Sequence, residues 1–138
     1  DEAIKFYTSI GIGPFVDYPP LRDYIKINVP DENGFYDLKL KVVQMGPIQI
    51  QLIQPGKGKS LYKDFLEKRG EGLHHIAFEV DDVDKELSRI SERGIELVDK
   101  KSRPGLEGMV AFIHPKSVRG VLVELCQKTS EGADYEQR

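Results

Sequence analysis

The sequence predicts an α+β protein built from two copies of one module, a strand followed by a helix and three further strands. Three observations predict it. Apolar residues alternate with period two in some stretches and recur at spacings of three and four in others. Glycine and proline separate those stretches. The same order of elements returns after 73 to 81 positions.

The second module carries the clearer pattern. Leu73 to Val80 alternates and is strand-length. Asp81-Asp82 offers a helix cap, and Val83, Leu87 and Ile90 place an apolar stripe on a helix from Val83 to Arg93. Gly94 suits the left-handed residue that ends such a helix. Ile95 to Asp99 is expected as a short strand and Lys100 to Gly108, with Pro104-Gly105, as a loop. Met109 to His114 is a strand stopped by Pro115, and Val121 to Gln127 is the last strand.

The first module repeats this order without its opening strand. Asp1 to Ile10 is helical with Ile4, Tyr7 and Ile10 inward, Gly11 ends it, and Phe15 to Tyr18 is a strand. Pro19 to Phe35 is an irregular, proline-rich insertion. Tyr36 to Met45 and Ile48 to Gln54 form a hairpin about Gly46-Pro47. Ser60 caps a bridging helix, Leu61 to Arg69, whose stripe is Tyr62, Phe65 and Leu66. The expected organisation is a first module over 1–55, a linker and bridging helix over 56–71, a second module over 72–128 and a polar tail over 129–138.

The repeat has a numerical form. The helix starts Asp1 and Asp82 lie 81 positions apart, while Gln51 and Glu124 on the last strands lie 73 apart. Module one is therefore longer by 8 residues, which the insertion supplies. The counterpart of His75 falls about six residues before Asp1. The natural start is expected to lie upstream.

Composition narrows the function. Lys and Arg number 20 against 23 Asp and Glu, a net charge of −3, which argues against a general nucleic-acid binder or a polybasic membrane protein. No apolar run is long enough to span a bilayer, and no signal-peptide pattern is present. The single cysteine, Cys126, excludes an intramolecular disulfide and fits a reducing cytoplasm. There is no GxSxG, phosphate loop or CxxC, and Gly11-Ile12-Gly13 follows a helix rather than a strand, so it is no dinucleotide fingerprint.

Strand parity then singles out three residues. Side chains alternate faces along a strand. Val121, Val123 and Leu125 share one face, and Leu122, Glu124 and Cys126 the other. Ile48, Ile50 and Leu52 oppose Gln49, Gln51 and Ile53. Ile76, Phe78 and Val80, with His74, oppose His75, Ala77 and Glu79. With each apolar face against the helices, Gln51, His75 and Glu124 project together from the other face. An imidazole, an amide oxygen and a carboxylate are mixed N/O donors for a divalent metal such as Co, Mn, Ni, Zn or Fe. A metal there can chelate two oxygens of a substrate and stabilise an enolate, and the carboxylate beside it can move the proton.

Each residue also has a plainer reading. A strand histidine is commonly a half-buried, hydrogen-bonded side chain. Glu124 between Val123 and Leu125 demands a partner, and an ion pair serves as well as a metal. Gln51 also fits a solvent face. His114 suits a strand end, Cys126 a small buried residue, and Lys57, Lys59, Lys63, Lys68 and Arg69 a solvated helix face.

Two segments carry a resemblance. Gly72-Leu73-His74-His75-Ile76-Ala77-Phe78-Glu79-Val80-Asp81-Asp82 and His114-Pro115-Lys116-Ser117 with Gly120-Val121-Leu122-Val123-Glu124-Leu125 are similar to the second-module opening and closing segments of the vicinal oxygen chelate superfamily. That superfamily includes glyoxalase I, methylmalonyl-CoA epimerase, extradiol dioxygenases and bleomycin-resistance proteins, and the resemblance is closest to the epimerases. It implies paired βαβββ modules in a curved, roughly eight-stranded sheet with a central cleft. It implies that Gln51, His75 and Glu124 are metal ligands, with Glu124 also the acid/base group, and that a fourth ligand belongs to the absent first strand.

The resemblance further implies a homodimer and a small-molecule substrate, an acyl-CoA or a glutathione adduct. The expected activity is a divalent-metal-dependent isomerase or epimerase. A glyoxalase I-like lactoylglutathione lyase and a metal-free binding protein of the same fold are the alternatives. The epimerases' second acid/base residue has no clear match: the nearby positions are Ile27, Asn28, Asp31 and Glu32.

Overall fold

The computed structural model describes residues 1–18, 31–106 and 108–128. These residues form two compact units, 1–18 with 31–70 and 71–106 with 108–128. Positions 19–30 of the expected insertion, including Ile27 and Asn28, position 107 and the expected tail from 129 lie outside the described residues.

The first unit holds helix α1 (Glu2–Ser9), strand β1 (Val16–Asp17), helix α2 (Glu32–Tyr36), strands β2 (Lys39–Met45) and β3 (Ile48–Gln54), and helix α3 (Leu61–Arg69). Its antiparallel sheet has the order β1-β2-β3. The β2–β3 hairpin turns at Gly46, whose φ of +59° is the left-handed conformation that a side chain disfavours. The strand expected from Tyr36 begins only at Lys39. Asp31 accepts a hydrogen bond from the Gly34 N–H at 3.1 Å and caps α2, which takes Tyr36 into the helix. Ile10, expected inward, is 58% exposed, because α1 ends before it.

The loop before α3 is clamped onto α2. Asp31 also accepts from the Lys59 N–H at 2.9 Å, and Asp37 accepts from the Lys57 N–H at 3.0 Å. A Cβ at Gly34 would collide with the Lys59 backbone, and one at Gly58 with the Gly34 backbone. Glycine is needed there for close approach. Ser60 caps α3 as its sequence requires, accepting from the Lys63 N–H at 3.1 Å.

The second unit holds β4 (His75–Glu79), α4 (Val83–Glu92), β5 (Arg103–Pro104), β6 (Gly108–Ile113) and β7 (Leu122–Lys128), with a 3-10 turn over Pro115–Val118. The sheet order is β4-β7-β6-β5, with β4 parallel to β7 and the other pairs antiparallel. α4 starts at the Asp82 cap, which accepts from the Lys85 N–H at 3.0 Å. It lays its stripe against β6 and β7: Val83, Leu87, Ala111, Ile113 and Leu125 form the core.

Three expectations change here. Ile95 to Asp99 is reduced to a single bridge, Leu97 to Ile113, because the Asp99 carboxylate takes the Phe112 N–H at 2.9 Å and interrupts the ladder. The expected loop from Lys100 contains β5, paired as Arg103 with Val110 and Pro104 with Met109. Ile76 and Phe78 lie on the sheet's core side by register but are 42% and 55% exposed. β4 is an edge strand, and α4 packs over β6 and β7 instead.

No helix among the described residues is long and apolar enough to cross a membrane.

Leu87→Ala is expected to cost about 2–5 kcal/mol in urea unfolding, since Leu87 is 2% exposed at the centre of the core. Gly58→Ala should also destabilise the protein, by prising the loop from α2. A change in either variant no larger than about 0.5 kcal/mol, the size of an ordinary surface substitution, would contradict this packing.

Candidate functional site

Pairing across β4, β7 and β6 builds a polar face opposite the core. Ile76 and Phe78 pair with Val123 and Leu125, and Leu125 pairs with Ala111, which puts all of them on the α4 side. By alternation, His75, Ala77, Leu122, Glu124, Cys126, Val110 and Phe112 occupy the other side. Glu124 stands between Ala77 on β4 and Phe112 on β6, with His75 two residues along from Ala77.

Here the imidazole and the carboxylate meet. His75 Nε2 lies 3.4 Å from Glu124 Oε2, and the two side chains are 14% and 15% exposed. The Phe112 ring meets the His75 ring edge to face, with centroids 6.1 Å apart. Burial, and then the neighbouring His74, push the His75 pKa down to about 4. A carboxylate at 3.4 Å favours the imidazolium, yet the cost of burying a charge outweighs it. His75 is therefore neutral at neutral pH, and its contact with Glu124 is polar rather than an ion pair. A neutral imidazole is also the form that ligates metals.

His74 departs from the parity expectation. It precedes the first paired residue of β4, so its ring is not held on the Ile76 side. Instead His74 Nδ1 lies 2.9 Å from His75 Nδ1. One ring donates and the other accepts, so the Nδ1 edge of His75 meets His74 while its Nε2 edge meets Glu124.

Gln51 belongs to the first unit, on β3 opposite Val42. Its Nε2 donates to Gln49 Oε1 at 2.7 Å, Gln49 Nε2 donates to Gln44 Oε1 at 3.5 Å, and Gln44 Nε2 donates to the Gly46 carbonyl at 2.8 Å. A backbone carbonyl can only accept, so it sets the sense of the whole row. The Gln51 carbonyl oxygen is left as the atom suited to a cation. The buried face of this hairpin differs from expectation: Leu40, at 7% exposure, shares the Gln51 side, and Val43, at 4%, lies opposite.

The donor set fits a divalent cation. Cis ligands at bond lengths of 2.0–2.2 Å stand about 3 Å apart, close to the 3.4 Å between His75 Nε2 and Glu124 Oε2. Among the described residues no group of three or more His, Cys, Asp and Glu is arranged to hold a metal ion, so His75 and Glu124 form a pair that other oxygen donors would complete.

Sequence reasoning missed two neighbours. Phe112 pairs directly with Glu124, and the Arg103 guanidinium lies over the Phe112 ring, 5.3 Å from its centroid. Arg103 sits in a segment whose Pro-Gly signals a loop, and only its pairing with Val110 places it on this face. Cys126, on the same face, is buried and in no disulfide, and His114 caps the 3-10 turn by accepting from the Lys116 N–H at 3.2 Å.

A strand-helix-strand unit with a histidine and a glutamate facing each other across parallel strands points to a class. The chain belongs to the Glyoxalase/Bleomycin resistance protein/Dioxygenase superfamily, whose family model matches residues 1–112. It is 42% identical over 85 residues to the uncharacterized protein YqjC of Bacillus subtilis, covering 61% of each chain. It is 39% identical over 82 residues to the mitochondrial methylmalonyl-CoA epimerase of Dictyostelium discoideum, covering 58% of this chain and 49% of that one. A Streptomyces coelicolor methylmalonyl-CoA epimerase variant, solved in complex with 2-nitronate-propionyl-CoA, aligns with a TM-score of 0.70 and 27% identity over 94% of this chain and 87% of that one. The chain thus spans 49% to 61% of the length of these two curated relatives.

Stability should fall as pH drops from about 7 to 4. Unfolded His75 binds a proton near pH 6.5, and folded His75 resists it until about 4. The unfolded state therefore gains protons first, and the loss amounts to at most about 3 kcal/mol. His75→Gln should flatten this part of the profile in urea titrations at several pH values. An equal slope in parent and variant would contradict the assignment.

Proposed function

We propose that the protein is a divalent-metal-dependent epimerase of a 2-substituted malonyl-CoA thioester. The observation that carries the reading is His75 Nε2 facing Glu124 Oε2 at 3.4 Å on the polar side of the β4–β7–β6 sheet. The epimerase relatives support the substrate class. In this reading His75, Glu124 and the carbonyl oxygen of Gln51 hold the metal, and the protein acts as a homodimer. When bound, the metal supplies a Lewis acid that lowers the cost of negative charge on the substrate oxygens.

The chain's own groups do the rest. The C–H between a thioester and a carboxylate is activated by the thioester carbonyl. Glu124 accepts that proton from C2 and returns it. His75 stays neutral through burial and so does not hold Glu124 in a salt bridge. Phe112 and its neighbours limit water around the carboxylate, which strengthens each electrostatic interaction there. Inversion, as opposed to exchange, needs a second acid on the opposite face of C2. Asp31 does not suit that task, since its carboxylate caps α2 and holds Lys59. Exchange and inversion are therefore separable measurements.

With methylmalonyl-CoA in deuterated buffer and added Co or Mn, the parent should wash deuterium into C2 and invert the centre. Glu124→Gln should lower the exchange rate about a hundredfold or more. His75→Gln should weaken metal uptake. Parent protein that takes up no metal and exchanges no deuterium would refute the reading.

A further inference from the structure

Strand geometry carries His75 to the Glu124 side of the sheet, but it does not decide which edge of the imidazole faces the carboxylate. The outer torsion of a histidine side chain is broad and nearly two-fold. A half-turn of the ring would put carbon where Nδ1 and Nε2 now stand. Something beside the ring must choose between the two settings.

That choice is made one residue earlier. Adjacent residues inside a strand point to opposite sides, so their rings do not meet. His74 precedes the first paired residue of β4 and escapes this rule. Its Nδ1 lies 2.9 Å from His75 Nδ1, with the two rings perpendicular and their centroids 5.2 Å apart. This is the length of a firm hydrogen bond, whereas His75 Nε2 stands 3.4 Å from Glu124 Oε2. Turning the His75 ring over would lose the bond between the two Nδ1 atoms. The contact with His74 therefore keeps Nε2 on the Glu124 edge.

The same contact bears on the ring proton. A neutral imidazole has one N–H and one lone pair. When Nε2 gives its lone pair to a cation, the proton sits on Nδ1 and needs an acceptor of its own. His74 Nδ1 is within reach to accept it, with the His74 proton then on Nε2.

We infer that His74 is a positioning residue: it accepts a hydrogen bond from the Nδ1–H of His75 and so keeps the Nε2 lone pair turned to the cation. This rests on the metal reading above. It deepens that reading by assigning the tautomer of one ligand and the group that fixes it.

Zinc is diamagnetic, so NMR of zinc-loaded protein with isotope-labelled histidines tests the inference directly. In the parent the His75 ring proton should sit on Nδ1, and the two Nδ1 nuclei should show scalar coupling across the shared hydrogen bond. His74→Leu keeps bulk but offers no acceptor, and should weaken zinc binding about tenfold or more in calorimetry. His74→Asn places an accepting Oδ1 near the former Nδ1 and should recover most of that loss. The coupling in the parent needs no variant, so it decides the matter even if His74→Leu does not fold. A His75 proton on Nε2, or no coupling, overturns the inference. Zinc affinity in His74→Leu equal to the parent's overturns it too. So do equal losses in His74→Leu and His74→Asn, since the whole ring rather than an acceptor would then be required. His75→Gln separates this inference from the reading beneath it. Zinc affinity unchanged in His75→Gln defeats the metal assignment itself. Zinc affinity lost in His75→Gln but kept in His74→Leu defeats the role of His74 alone.

Discussion

The alternation of side chains along β7 is the constraint on which the second unit depends. Leu125 must be buried under α4 with Val83, Leu87 and Ala111 to form a core at all. Once Leu125 faces α4, Glu124 cannot, because adjacent strand residues point to opposite sides. Hydrophobic burial on one face therefore delivers a carboxylate to the other. The parallel pairing of β4 then brings His75 to it, two residues from the Ala77–Glu124 pair. The core and the polar site are two sides of one register, and a slip of one residue would exchange them.

The same face shows how packing sets chemistry. Strands β4 and β6 flank Glu124, Phe112 covers one side of His75, and little water reaches either side chain. Burial acts on the imidazole more strongly than the adjacent carboxylate does, and the ring stays neutral. A neutral imidazole beside a carboxylate is a donor pair for a cation, whereas a charged pair would be satisfied by itself. The polarity of the site follows from its low exposure as much as from the residue types.

The first unit solves a different problem, holding an irregular loop where Leu40 and Val43 are the buried apolar residues among those described. Asp31 and Asp37 receive the N–H groups of Lys59 and Lys57, and glycines at 34 and 58 let two backbones touch. Those hydrogen bonds hold the Asp31 carboxyl below its ordinary pKa. Asp84 does the same in the second unit, where the Ser102 N–H and hydroxyl hold its carboxyl down and tie the chain before β5 to α4. In both places a carboxylate stands in for the backbone acceptors that irregular chain lacks.

Local chemistry was legible from the sequence wherever one residue acts on its near neighbours. Ser60 and Asp82 announce helix starts because a side-chain oxygen reaches the N–H three residues on. β3 could be bounded at Ile48 and Gln54 because glycine and proline flank it. Parity alone grouped His75 with Glu124, since alternation needs no knowledge of partners. What required the tertiary structure depends on which strand lies next to which. Tyr36 joined a helix because Asp31 found Gly34, and Ile95 to Asp99 lost its ladder to the Asp99 carboxylate. Ile76 and Phe78 stayed exposed because β4 is an edge strand. Arg103 reached Phe112 through a pairing between β5 and β6 that no periodicity records. Sequence pattern specifies which side of a strand a residue takes, and the sheet order decides what it meets there.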